Sequence, residues 1–168
     1  MNFKRNNENI YTRNLSKERI IGMVSLIIVI LFLTFYPFRC LYEEYGGKCG
    51  HIGDILGKCS FIERGVFVVF LQPFIETLVF QFLIIEILIN INFFKNNENL
   101  IILISAYFFA IVHNYDFIYF LFALLEGIIL SYIYLYFNKK GDFPFFIVFS
   151  IHSLSNIGIF IMNVCLGI

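Results

Sequence analysis

Residues 65–94 read GVFVVFLQPFIETLVFQFLIIEILININFF, a run that carries two charged side chains, Glu76 and Glu86. It is longer than the roughly 20 apolar residues that an α-helix needs to cross a bilayer. Carboxylates within such a span are rare, and they usually serve a function. The run therefore predicts a membrane helix that carries a functional carboxylate.

The rest of the chain is similarly apolar, with 60% hydrophobic, 20% aromatic and 14% charged residues. This composition excludes an ordinary soluble domain. It predicts an all-α fold, a polytopic integral membrane bundle of about five transmembrane helices. The expected helices cover 20–38, 65–94, 100–113, 117–137 and 143–168. The third is short for a full crossing, and Pro73 is expected to kink the second or to start a new helix there.

This pattern divides the chain into four parts. They are a polar basic tail at 1–19, an uncleaved membrane anchor at 20–38, a loop at 39–64 and a four-helix core at 65–168. The loop holds Cys40, Cys49 and Cys59, an odd number that cannot pair completely. One disulfide with a spare thiol and three unpaired thiols both stay open, because the choice depends on the compartment that the loop faces.

The distribution of basic residues predicts an orientation. Five Lys and Arg lie in the first 19 residues, and Lys95, Lys139 and Lys140 fall on the same predicted side, against four on the other side. The positive-inside rule then places the N-terminus in the cytoplasm. The formal net charge is zero, so the chain lacks the basic surface of nucleic-acid-binding proteins, and membrane lipid is its expected environment.

Four polar side chains are expected to meet in one layer of the bundle. With a helical rise of about 1.5 Å per residue, Glu76, His113, His152 and Asn156 fall at similar predicted depths. Hydrolysis of a peptide bond requires a base for water and donors for the oxyanion. Glu76 beside His113 can be the base, while His152 and Asn156, four residues apart on one helix face, can be the donors.

The same residues carry a family resemblance. Pro73-Phe-Ile-Glu76, Phe109-Ala-Ile-Val-His113 and His152-Ser-Leu-Ser-Asn156 resemble the three motifs of the CPBP intramembrane proteases, also called the Abi or CAAX prenyl protease family. Residues 124–135, LLEGIILSYIYL, resemble the glycine-bearing helix that separates the second and third motifs. The resemblance extends from Gly65 to the C-terminus.

The resemblance implies an intramembrane endopeptidase, a hydrolase that acts on a peptide or protein substrate cleaved near the membrane. Glu76 and His113 would activate water, and His152 and Asn156 would stabilise the oxyanion. The family is often labelled as metalloproteases, but we favour a glutamate-driven mechanism without a metal. If zinc is bound, Glu76, His113 and His152 are its expected ligands.

The first motif departs from the family pattern of two glutamates followed by an arginine. Thr77 replaces the second glutamate and Gln81 replaces the arginine. We interpret the change as the exchange of a buried ion pair for a neutral hydroxyl–amide pair, which leaves no charge unpaired. Phe109 is expected to pack beside His113.

Several alternatives stay open. The chain could be a weak or inactive relative that acts as a bacteriocin self-immunity or membrane partner protein in a bacterial plasma membrane. A proton-coupled transporter using Glu76, Glu86 and Glu126 is less favoured, because no inverted repeat is visible. Glu86 and Glu126 match no motif residue and are interpreted as structural or cavity-lining side chains.

Overall fold

The computed structural model describes residues 59–113 and 116–166. Within these ranges the chain forms four helices and no strand. We number them α1 (Phe61–Ile89), α2 (Glu98–Ile111), α3 (Phe117–Lys140) and α4 (Pro144–Leu166). The predicted tail, the predicted anchor at 20–38 and most of the predicted loop, including Cys40 and Cys49, lie outside the described residues.

Local sequence signals explain where the helices begin and end. Ser60 and Glu63 form a reciprocal capping box at the start of α1, which satisfies backbone N–H groups that the first turn leaves unpaired. Asp116 caps the start of α3, because its carboxylate accepts a hydrogen bond from the backbone N–H of Tyr119. Gly141, with φ of 71°, ends α3 in the left-handed conformation that glycine adopts without strain.

Helix α1 is wider than an ordinary α-helix in two places. Phe67–Leu71 and Thr77–Ile84 are π-helical, and Pro73 lies in the short α-helical segment between them. In a π-helix the backbone hydrogen bonds are shifted by one residue, and such segments are frequent at functional sites. Each segment has a carbonyl that accepts from another helix: Val68 from Asn156 Nδ2 at 2.9 Å, and Phe80 from Ser105 Oγ at 2.8 Å.

Small residues bring α2 and α3 close together. Ala106 lies so near Gly127 that a Cβ added to the glycine would be 2.9 Å from the Ala106 Cα. One turn further along α3, the Ser131 and Ser105 hydroxyls are 2.7 Å apart in a buried hydrogen bond. Close backbone approach and interhelical hydrogen bonds are what hold helices together in lipid, where hydrophobic burial gives little preference for one helix contact over another.

The second carboxylate of the opening stretch joins α1 to α3. Glu86 Oε1 accepts from the hydroxyl of buried Tyr134 at 2.8 Å and from Asn138 Nδ2 at 3.2 Å. Apolar side chains of all four helices, including Ile85, Ile101, Leu130 and Ile151, form the core around this contact. These hydrogen bonds give Glu86 a structural role, in agreement with the interpretation drawn from its lack of a motif match.

The fold class is confirmed, since the described part is helical and three of its helices are long and apolar enough to cross a membrane. The predicted number of about five is not confirmed, because α2 has 14 residues and the segment at 20–38 is not described. The observed α1 begins at Phe61, four residues before the predicted start at Gly65, because Ser60 caps it there. It ends at Ile89 rather than Phe94, because Asn90 starts a run of turns.

Candidate active site

Glu76 lies near the middle of α1, with 12% of its side chain exposed. Its two oxygens have different surroundings. Oε1 accepts from Gln72 Nε2 at 2.8 Å and lies 3.2 Å from His113 Nε2. Oε2 lies 3.3 Å from His152 Nε2 but has no hydrogen-bond partner among the described residues. One oxygen is therefore held, and the other is free to accept a proton.

His113 lies two residues beyond the end of α2, and its imidazole is beside Glu76. Its Nδ1 lies 2.7 Å from the carbonyl oxygen of Phe109. A carbonyl only accepts, so Nδ1 carries a hydrogen and Nε2 is the nitrogen that faces Glu76. The backbone of α2 thereby orients the imidazole, and His113 Nε2 lies 3.2 Å from Glu76 Oε1.

His152, on α4, lies deepest in the cluster, with 2% of its side chain exposed. Its Nε2 faces Glu76 Oε2 at 3.3 Å and Glu126 Oε1 at 3.8 Å. Its Nδ1 is buried without a hydrogen-bond partner in the described part of the chain. The Phe109 ring packs against both imidazoles, with centroid distances of 4.6 Å to His113 and 5.9 Å to His152.

Asn156 is buried one helical turn beyond His152. Its Nδ2 donates to the Val68 carbonyl of α1 at 2.9 Å. An amide NH₂ has two hydrogens, so this bond fixes the side chain and leaves one hydrogen for a further acceptor. The structure thus brings Glu76, His113 and His152 into one cluster, while Asn156 is tied to Val68, eight residues before Glu76 on α1.

The profile of the Rce1-like family, described as type II CAAX prenyl endopeptidase Rce1-like, matches residues 59–167. The chain belongs to this family. Membership means that it is related to membrane peptidases that act on a peptide or protein substrate. No curated protein and no solved structure matches the chain.

Thr77 and Gln81 are the positions at which the first motif departs from the family pattern. Both side chains are fully buried. The hydroxyl of Thr77 and both amide atoms of Gln81 lack hydrogen-bond partners among the described residues. The expected hydroxyl–amide pair is therefore not formed, because the π-helical turn that starts at Thr77 changes the alignment of positions i and i+4.

This observation leads to a prediction for the two residues. A buried polar group without a partner destabilises the fold, so replacing it with an apolar group of similar shape should be neutral or stabilising. We expect Thr77→Val and Gln81→Leu to leave the free energy of unfolding unchanged or to raise it by about 1 kcal/mol. Thermal unfolding in detergent measures this. A marked loss of stability would mean that both groups have partners in the folded protein.

Two members of the cluster were not assigned to it from the sequence. Gln72 lies one turn before Glu76 on the same helix, a spacing that places the two side chains together. Glu126 was interpreted as structural or cavity-lining, and it lies 3.8 Å from His152 Nε2. Its signal in the sequence was a carboxylate within an apolar run, next to Gly127.

The zinc alternative concerns Glu76, His113 and His152. In the described ranges no group of three or more His, Cys, Asp or Glu side chains is arranged to hold a metal ion. His113 Nδ1 faces the Phe109 carbonyl, so Nε2, which lies 3.2 Å from Glu76 Oε1, is the His113 nitrogen that faces the cluster. The preference for a mechanism without a metal stays a prediction.

Proposed function

We propose that the chain is an intramembrane endopeptidase of the CAAX protease type, in which Glu76 activates water. One observation carries the proposal. Glu76 holds one oxygen against Gln72 and His113 and directs the other, without a hydrogen-bond partner, toward His152. A carboxylate arranged in this way is suited to take a proton from a water molecule bound at Oε2.

The proposed reaction proceeds in two steps. Water attacks the carbonyl carbon of the scissile bond while its proton passes to Glu76 Oε2, and the oxyanion is stabilised by the N–H of His152 and the second amide hydrogen of Asn156. Glu76 then donates the proton to the leaving nitrogen as the C–N bond breaks. The products are a new carboxyl group and a new amine, so atoms and charge balance.

The substrate proposal rests on the family description. A prenylated peptide that ends in a CAAX sequence is the probe of choice, with the same peptide lacking the prenyl group as control. We expect the purified full-length protein in proteoliposomes to cleave the prenylated peptide faster. Equal cleavage of the two peptides would agree with the proposed peptidase activity but contradict a preference for lipidated substrates. No cleavage by a folded protein would favour a non-catalytic immunity or partner protein in a bacterial plasma membrane.

Metal dependence is a separate prediction. Because Glu76 and His113 engage each other, we expect activity to survive dialysis against phenanthroline. Cleavage of the prenylated probe before and after dialysis is the measurement. Loss of activity that added zinc restores would contradict the metal-free mechanism and would assign Glu76, His113 and His152 to the metal.

A further inference from the structure

We propose that Pro73 is a positioning residue of the active site, which acts on Asn156 through the Val68 carbonyl. Because a proline has no N–H, it leaves this carbonyl of α1 for the Asn156 amide of α4, and the bond orients that amide. The inference rests on the proposed function, in which Asn156 donates to the oxyanion. Its starting point is the hydrogen bond of 2.9 Å from Asn156 Nδ2 to the Val68 carbonyl oxygen.

The hydrogen bonding of α1 leaves the Val68 carbonyl without a backbone donor. In an α-helix its donor would be the N–H of Gln72, four residues ahead, and in a π-helix it would be the N–H of residue 73, five residues ahead. The Gln72 N–H donates instead to the carbonyl of Phe67, because this part of α1 is π-helical. Residue 73 is a proline and has no N–H. Both backbone donors are therefore lost, and the side chain of Asn156 takes their place.

A carbonyl left in this way must find a donor elsewhere. Pro73 and Asn156 are both buried. Within a bilayer there is no bulk water to satisfy an open backbone group, and leaving it unpaired is unfavourable. The Val68 carbonyl and the Asn156 amide therefore satisfy each other across the contact between α1 and α4. The interruption of the backbone hydrogen bonds at Pro73 thus creates a fixed acceptor for the amide.

This bond also determines where the second Asn156 hydrogen points. The terminal torsion of an asparagine side chain has a broad energy minimum, so an unattached amide would not be directed. Nδ2 carries two hydrogens in the plane of the amide. When Val68 holds one of them, the plane is fixed and the other hydrogen has a set direction. Pro73 and Glu76 belong to the same turn of α1, so this turn supplies the base and, through Val68, the orientation of an oxyanion donor.

Pro73→Ala tests the inference by restoring a backbone N–H at position 73. Val68 then has a donor in either register, Gln72 if the segment becomes α-helical and residue 73 if it stays π-helical, and this donor competes with Asn156. We expect kcat on the prenylated probe to fall by about 10- to 100-fold with KM unchanged, the effect of a misplaced reacting group. Pro144→Ala is the matched control and should behave like the wild type, because Pro144 is the first residue of α4, where the helix offers no acceptor for an N–H.

A backbone ester separates the missing N–H from the shape of the proline ring. Lactic acid at position 73 has the methyl side chain of alanine but an oxygen in place of the N–H. The π-helical register, in which Asn156 satisfies Val68, then stays preferred, because an α-helical register would leave the carbonyl of Val69 without a donor. We expect the ester variant to keep most of the wild-type kcat. A fall to the level of Pro73→Ala would assign the effect to the ring and overturn the inference.

A double-mutant cycle on unfolding tests the same contact without turnover. In the wild-type background Asn156→Leu leaves the Val68 carbonyl unpaired, so we expect the unfolding midpoint in detergent to fall by about 2–10 °C. In the Pro73→Ala background a backbone N–H replaces the lost donor, and the fall should be clearly smaller. In kinetics, Pro73→Ala should add less than about twofold to the loss of kcat in Asn156→Leu, because its effect passes through that amide.

The outcomes are distinguishable. If the wild type cleaves no peptide yet the two substitutions are coupled in unfolding, the proposed function fails while the positioning contact stands. If folded Pro73→Ala keeps the wild-type kcat, or lowers kcat equally with and without Asn156, Pro73 only shapes the helix and the inference is overturned. Additive effects on the unfolding midpoint would overturn it as well. Should Pro73→Ala not fold, the ester variant carries the test, and a fall of its kcat to that of Asn156→Leu would contradict the inference.

Discussion

Glu76→Gln is expected to lower kcat by about 10²- to 10⁴-fold, the usual contribution of a general base. The amide keeps the shape of the side chain and can still contact Gln72 and His113, but it cannot take a proton from water. KM should change little, because the probe is bound mainly by groups remote from the reacting atoms. The rate of cleavage of the prenylated peptide by purified protein measures the effect.

Glu86→Gln is the control for this experiment. Glu86 is also a carboxylate within α1, but its Oε1 accepts from Tyr134 and Asn138 rather than facing an imidazole. A glutamine oxygen can accept both hydrogen bonds, so the control should fold and cleave like the wild type. Equal activity of the two variants would mean that Glu76 serves packing and that another group activates water.

Gly127→Ala is expected to destabilise the fold by about 1–3 kcal/mol, the usual effect of overpacking a close contact. The new methyl group would be 2.9 Å from Ala106 Cα and 3.2 Å from the Ala106 carbonyl oxygen. Both belong to the backbone region of α2, so a rotamer change cannot relieve the clash and the helices must move apart. Thermal unfolding in detergent should show a lower midpoint.

Gly65→Ala provides the matched control, because the added methyl group would be 3.4 Å from the Phe160 ring. This is an ordinary contact distance with a side chain that can shift. We expect its unfolding midpoint to stay near that of the wild type. If both glycine variants unfold alike, the close approach of α2 and α3 is not needed for stability.

The sequence was most informative about the residues that lipid makes exceptional. A carboxylate or an imidazole within an apolar run has few reasons to be there, so Glu76 and His152 could be selected without coordinates. Helical rise then predicted that they would lie at one depth, and the structure places their side chains 3.3 Å apart. The family resemblance was confirmed by the match over residues 59–167.

The rest depended on geometry that periodicity does not determine. Regular α-helical spacing predicted a Thr77–Gln81 pair, whereas α1 becomes π-helical at that turn and separates the two groups. The same kind of widening exposes the Val68 carbonyl that takes an amide hydrogen from Asn156. Glu126 could not be assigned, because its distance of 3.8 Å from His152 depends on how α3 packs beside α4.

Hydrolysis in heavy-oxygen water tests the central claim most directly. The purified wild-type protein is incubated in molar excess over the prenylated peptide. The masses of the fragments are then measured by mass spectrometry. The account predicts a cleaved peptide whose new carboxyl group carries one heavy oxygen atom, and formation of that fragment by Glu76→Gln at a rate about 10²- to 10⁴-fold lower. Recovery of the intact peptide from folded wild-type protein, or equal labelling by Glu76→Gln, would contradict it.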